Sequence, residues 1–245
     1  METIEFAEVD RIGEVTLDAI SEAEKFNRWM FDVILPFSKG RVLEIGSGIG
    51  NISAHFLKAG FNIHLTDIRE QYCKRLNTRF ESELLFLGAE IMDLVDPDFD
   101  SKFSDQFQTY DTIFALNVIE HIKDDLLAIA NCKKLLKTGG HLIILVPSYD
   151  ALYNKFDVEL GHYRRYRKSS LSALFRKNDL ELISKRYFNL AGILGWFVSG
   201  HLQENESIPR GQMKLYNKLV PLFKLIDRVS FNQIGLSTIV VGRKK

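Results

Sequence analysis

The run Arg41-Val42-Leu43-Glu44-Ile45 stops at Gly46 and continues as Ser47, Gly48, Ile49, Gly50 and Asn51. Glycines this close strip side chains from a turn, so bare backbone N–H groups can approach a ligand. About 20 residues further on, Asp67 closes a second apolar run, Asn62-Ile63-His64-Leu65-Thr66, where a carboxylate can receive both hydroxyls of a ribose. The glycines read G-x-G-x-G, not the G-x-G-x-x-G that seats a dinucleotide pyrophosphate on a helix start. A nucleoside without a pyrophosphate needs the close approach but not that cradle. Glu44, a carboxylate inside an otherwise apolar run, needs a partner of its own.

Two further constellations carry titratable groups. Asn117-Val118-Ile119-Glu120-His121 follows a fourth apolar run, and His121 is the leading candidate for a base that takes an acceptor's proton. The competing reading is that Glu120 and His121 start or cap the next helix. Gly161-His162-Tyr163-Arg164-Arg165-Tyr166-Arg167 is basic and aromatic. Arg164, Arg165 and Arg167 suit a carboxylate or phosphate on an acceptor. Tyr163 and Tyr166 suit its rings, and His162 is a second candidate base. The opposing reading, a loop pinned by salt bridges and buried tyrosines, carries equal weight.

The elements that must position these groups alternate. Apolar positions at helical spacing over 16–36 predict a helix ending at Pro36. Strands are expected at 41–45, 62–66, 84–87, 109–116 and 141–146, with helices at 51–59, 69–81 and 123–136. A helix at 169–178, a strand near 181–188 and a last strand at 237–241 follow, the last two separated by an insertion at 190–226. This rhythm predicts a doubly wound α/β sheet, mainly parallel and covered on both faces, with an antiparallel finish at one edge. The chain reads as one domain over 1–245. It has an N-terminal helical cover (1–37), a cofactor-binding core (38–148) and an acceptor-binding and lid part (149–245). Pro221 argues against one uninterrupted helix in the insertion.

The glycine spacing and Asp67 together favour S-adenosylmethionine over NAD. With Val42 to Asn51, Asp67, Phe107 to Asp111, Asn117 to His121 and Leu136 to Gly140 in this order and spacing, the chain resembles class I S-adenosylmethionine-dependent methyltransferases, best over about residues 38–148. The resemblance implies a Rossmann-like seven-stranded sheet with the last strand antiparallel. It places Glu44 and the Gly46, Ser47, Gly48, Gly50 and Asn51 segment beside the methionine portion, and Asp67 on the ribose. Ile68 would flank the adenine, Met92 line its pocket, Asp93 hold its amino group, and Asn117 close over the methionine portion. The segment around His162 looks like a bacterial subgroup whose acceptors are glycans or lipid-linked intermediates.

Lysine plus arginine and aspartate plus glutamate each number 32, so no broad attraction to nucleic acid is expected. Cys73 and Cys132 are the only cysteines, which supply neither a disulfide framework nor metal-ligand spacing, and a cytoplasmic setting is the default. The N-terminus lacks a signal-peptide pattern and no apolar run reaches spanning length. No metal is expected, since no dense carboxylate cluster follows the fourth strand. The apolar stretch 190–200 and the lysine-interleaved stretch 213–225 suit a lid over an apolar acceptor, a peripheral membrane contact or a homodimer face. The expected activity is methyl transfer to a small-molecule or lipid- or glycan-linked acceptor, at oxygen. The alternatives are a nicotinamide-dependent oxidoreductase and a non-catalytic binding module.

Overall fold

The structure, a computed structural model, describes residues 11–197 and 210–245. Seven strands form one sheet: β1 (Val42–Ile45), β2 (Ile63–Asp67), β3 (Phe86–Ile91), β4 (Tyr110–Leu116), β5 (Leu136–Pro147), β6 (Leu180–Phe188) and β7 (Ser237–Lys244). Their order is β3-β2-β1-β4-β5-β7-β6. The first five run parallel, and β7 is antiparallel to both β5 and β6. The expected antiparallel finish is therefore present, with β7 inserted between β5 and β6.

Helices cover both faces because the buried strands alternate between two cores. Along β5, Leu142, Ile144 and Val146 face the core built with α5 (Phe99–Phe103), α6 (Asp125–Leu135) and α8 (Lys168–Lys177). Ile143 and Leu145 face the core built with α2 (Glu24–Ile34), α3 (Ser53–Lys58) and α4 (Glu70–Phe80). The period-2 alternation thus sends neighbouring residues into opposite layers. Four further α-helices lie among the described residues: α1 (Arg11–Ser21), α7 (Lys155–Glu159), α9 (Ala191–Phe197) and α10 (Arg210–Val229).

Three expectations are corrected. The single helix over 16–36 is two, α1 and α2. Asn27 donates its side-chain amide to the Ile20 carbonyl (2.9 Å), satisfying a group at the end of α1 while the chain turns at Ala23. The third strand lies later than 84–87, and Leu84 is 97% exposed. Parallel pairing with β2 sets Phe86 opposite Ile63 and Ile91 opposite Asp67, so register, not local hydrophobicity, chose the strand. Finally, α10 continues through Pro221. An interior proline costs about 3 kcal/mol, but Val220 is buried and Tyr216 and Phe223 pack on the core that contains α2. Asn217 also accepts the backbone N–H groups of Lys25 and Phe26 at 2.8 and 3.2 Å. Docking onto α2 outweighs the lost helical hydrogen bond.

Because β1 to β5 are parallel, Gly46, Asp67, Met92, Asn117 and Pro147 all emerge at one edge of the sheet. In open α/β sheets that is the edge where ligands bind.

Candidate functional site

At the end of β1, Gly46, Gly48 and Gly50 take φ values of +68°, +53° and +82°, a region that side chains rarely tolerate. A Cβ on Gly46 would lie 2.4 Å from Val118 Cγ2, and one on Gly50 would lie 2.7 Å from Phe80 Cε2. Leu17 of α1 lies over Gly48, with its Cδ1 3.1 Å from the Cβ position there, so the N-terminal helix covers this loop. Asp67 Oδ2 accepts the Gly48 N–H (2.9 Å) and Oδ1 accepts the Arg69 N–H (3.1 Å). Burial pushes the Asp67 carboxyl up, against the pull of those N–H groups.

Glu44 is buried and accepts a hydrogen bond from the Ser53 hydroxyl at the start of α3. Its partner is a hydroxyl, not a cation. Burial, opposed by Ser53 and reinforced by Asp67, pushes it up to about 8. Ser47 clamps the loop to β2: its N–H donates to the Thr66 carbonyl (2.8 Å) and its hydroxyl accepts the Thr66 N–H (3.3 Å). Asn51 is half-buried in the turn before α3, and Ile68 is half-buried beside Asp67. Met92 is buried and donates its N–H to the Asp67 carbonyl (3.1 Å). Asp93 is half-buried and accepts the Val95 N–H (2.9 Å). Asn117 is exposed at φ +55°, fixed by its N–H on the Leu145 carbonyl (2.8 Å).

The next turn brings together groups far apart in sequence. Glu120 and His121 lie in a 3-10 turn (Ile119–His121), while Asp124 is the residue that caps α6, through the Leu127 N–H. The rings of His121 and His162 meet edge to face at 4.6 Å between centroids. Glu120 is fully buried, and neither carboxylate oxygen has a hydrogen-bond partner among the described residues. His162 Nε2 is 4.0 Å from Glu120 Oε1, and its Nδ1 is 2.7 Å from Asp157 Oδ1. Burial pushes Glu120 up to about 8. Burial, and then His162, holds His121 down at about 3, so that ring is neutral near pH 7.

The basic, aromatic segment proves to be a latch across the ends of β4 and β5. Arg165 is 4% exposed; its Nε donates to both oxygens of Asp157 (2.9 and 3.0 Å), a guanidinium nitrogen reaches the Ser148 carbonyl, and the group lies over the Trp196 ring. Tyr166 is buried and donates its hydroxyl to Asp125 (2.8 Å). Arg164 is half-buried on Asp125 (3.0 Å) and the Lys123 carbonyl. Of the proposed acceptor residues Tyr163 and Arg167 are exposed, and Tyr163 places its N–H on the Glu120 carbonyl (2.8 Å). The pinned-loop reading thus describes Arg165 and Tyr166, whose donors are already engaged. The remaining histidines have local roles: His64 Nδ1 meets the Tyr110 hydroxyl, His141 Nδ1 meets the Phe37 carbonyl, and His55 stacks on Phe31. His201 lies outside the described residues.

A family model for the methyltransferase domain matches residues 22–185, more than half of the chain. The chain belongs to this methyltransferase family. Its matched region runs from α2 to β6 and so contains the glycine loop, Asp67 and the Glu120 turn. A ubiquinone biosynthesis O-methyltransferase of Caulobacter sp. (strain K31) is 27% identical over 109 residues, 44% of this chain and 41% of that protein. A polyketide synthase-nonribosomal peptide synthetase of Aspergillus clavatus is 31% identical over 109 residues, 42% of this chain and 3% of that protein. The chain therefore spans less than half the length of these curated relatives. Among solved structures, phosphoethanolamine N-methyltransferase 2 of Haemonchus contortus in complex with S-adenosyl-L-methionine superposes with a TM-score of 0.61. It shares 16% identity, covering 91% of this chain and 56% of that one.

The cofactor of a methyltransferase domain of this kind is S-adenosylmethionine, and the residues fit it. The glycine loop brings main chain to one strand edge with two buried carboxylates, Glu44 and Asp67, that suit a cation bearing a ribose diol, and Leu17 of α1 lies over it. A consequence follows from Glu44. Its carboxyl keeps its proton up to about pH 8 in the free protein, whereas a sulfonium and ammonium bound beside it would favour the carboxylate. Binding should release a proton below pH 8, and affinity should rise with pH by at most about tenfold per unit until pH 8. Calorimetry in two buffers of different ionisation enthalpy measures that release. The same raised value makes free-protein stability fall as pH climbs from 4.5 to about 8, a slope that Glu44→Gln should remove.

Sequence reasoning missed Glu120, Asp157 and Ser53 as site residues. For Glu120 a signal existed: a carboxylate in the apolar run Val118-Ile119-Glu120-His121-Ile122 poses the same demand for a partner as Glu44.

Proposed function

We propose that this methyltransferase transfers the methyl group of S-adenosylmethionine to an oxygen of a small-molecule or lipid- or glycan-linked acceptor. The observation that carries this reading is the cluster of buried Glu120 and His162 with half-buried His121 past the end of β4, beside Val118, which packs on Gly46. An alcohol or phenol must shed a proton as it attacks, and groups that can draw one off belong beside the methyl donor.

S-adenosylmethionine supplies an electrophilic methyl group on a sulfonium. The role of Glu44, Gly48 and Asp67 is to orient it, and that of Asn117 is to close over the methionine portion. Adenine contacts fall to Ile68, Met92 and Asp93. With nucleophile and methyl about 3–3.5 Å apart and in line, much of the barrier is already removed by positioning. The cofactor would supply a methyl group open to displacement by the acceptor oxygen, and the hydroxyl proton would leave on the side of the cleft where His121 and His162 lie. Tyr163, and Arg164 where Asp125 releases it, are the acceptor contacts.

The Gly161-to-Arg167 segment, with its likeness to a bacterial subgroup acting on glycans or lipid-linked intermediates, supports an acceptor of that class. So does α10, whose Leu215, Leu219, Leu222, Leu225 and Val229 are exposed along one stripe with Lys218 between them. No helix among the described residues is long and apolar enough to cross a membrane, so contact would be interfacial. Co-sedimentation with anionic liposomes is the expected result. A homodimer through the same stripe would instead double the mass in solution. Cys73 and Cys132 are free and buried, in keeping with a reducing cytoplasm.

The test is transfer from methyl-labelled S-adenosylmethionine to solvent-extracted cellular lipids and glycans. Label in a methyl ether or ester supports the reading. Label recovered on nitrogen, carbon, protein or nucleic acid refutes it.

A further inference from the structure

We infer that Glu120, His121 and His162 form a binding site for a first-row divalent transition metal at the acceptor side of the cleft. One ligand atom from each residue lies within 4.8 Å of the others. Ligands about 2.0–2.2 Å from a metal stand roughly 3.3 Å apart. The 4.0 Å from His162 Nε2 to Glu120 Oε1 therefore closes with less than about 1 Å of side-chain adjustment.

Glu120 points to an occupant by itself. A fully buried carboxylate with both oxygens unpartnered among the described residues is a costly arrangement that proteins keep for a ligand or an ion. Arg165 makes no hydrogen bond to it: Nε is on Asp157 and another guanidinium nitrogen is on the Ser148 carbonyl. His162 is held as a metal-binding histidine is held. Its Nδ1 is tied to Asp157, leaving Nε2 free to turn toward Glu120. A carboxylate behind a ligating imidazole fixes its tautomer and raises its donor strength. Arg165 in turn fixes Asp157, and the His162 N–H donates to the Asp157 carbonyl (2.8 Å). Four residues are thus arranged so that one imidazole nitrogen faces one bare carboxylate.

The donor set selects the ion. Two imidazoles and one carboxylate suit zinc, cobalt, iron or manganese, whereas magnesium and calcium prefer oxygen donors. Three protein ligands leave at least one position open to water or to an acceptor oxygen. A hydroxyl held there is acidified by the metal, so His121 and His162 act as ligands and the proton passes to solvent. This last consequence rests on the proposed oxygen transfer; the site itself does not.

Cobalt(II) is the probe, because its visible d–d bands report an imidazole-containing site directly. Titrating it into the chelator-treated protein should develop those bands to one equivalent. Glu120→Gln, which keeps volume and replaces the charge, should weaken binding more than tenfold, as should His162→Gln. Each sample is also titrated with S-adenosylmethionine, so a variant that retains cofactor binding is known to be folded. Absent bands in the unaltered protein, or bands of equal strength in folded Glu120→Gln, overturn the metal site. Cobalt binding with label found on a nitrogen or carbon acceptor would instead overturn the oxygen reading alone.

Discussion

Asp67→Ala is expected to weaken S-adenosylmethionine binding by about 100-fold or more. A carboxylate that receives two ribose hydroxyls makes two charge-assisted hydrogen bonds, each worth about 1.5–3 kcal/mol, and 1.4 kcal/mol is a factor of ten. The carboxylate is already aimed, since Gly48 and Arg69 N–H groups hold its two oxygens. Asp67→Asn separates binding from folding, because its amide oxygen can keep one of those bonds. Burial raises the Asp67 pKa in the folded protein, so above the ordinary carboxylate range the ionised group lowers stability. Removing the charge should therefore leave the melting temperature unchanged or higher at pH 7 while affinity drops. A fall in stability without a fall in affinity would make Asp67 a structural residue.

Arg165→Ala should cost about 3–5 kcal/mol of stability in urea denaturation, the usual result of stranding a buried charge. Asp157 is fully buried between Arg165 and His162, and without the guanidinium it keeps only the imidazole and backbone contacts. Arg164→Ala, one residue away, should cost less than about 1 kcal/mol, because its pair with Asp125 is partly solvated. If the two variants were equally stable, the latch would contribute nothing.

This contrast shows where legibility ended. The glycine loop and Asp67 could be read from sequence because their requirements are local: positive φ at Gly46, Gly48 and Gly50, and a carboxylate at a strand end. The doubly wound sheet followed from alternation, and the antiparallel finish from the insertion ahead of β7. Which of Arg164 and Arg165 points inward was not legible, because it depends on Asp157 and Ser148 arriving from the chain after β5. Glu120 and His162 meet only because β4 and β5 are sheet neighbours, so their connectors fold back over one strand edge. The third strand was misplaced because Leu84 and Leu85 carry the stronger apolar signal, yet β2 pairs with Phe86–Ile91. Pro221 misled for a tertiary reason, the docking of α10 on α2.

The central claim is that the glycine loop and its two carboxylates form an S-adenosylmethionine site. Isothermal titration of the purified protein with S-adenosylmethionine, its demethylated product and NAD tests it most directly. Saturable one-to-one binding of the first two, with no heat from NAD, is the predicted result. Binding of NAD, or silence with S-adenosylmethionine at millimolar concentration, would contradict it.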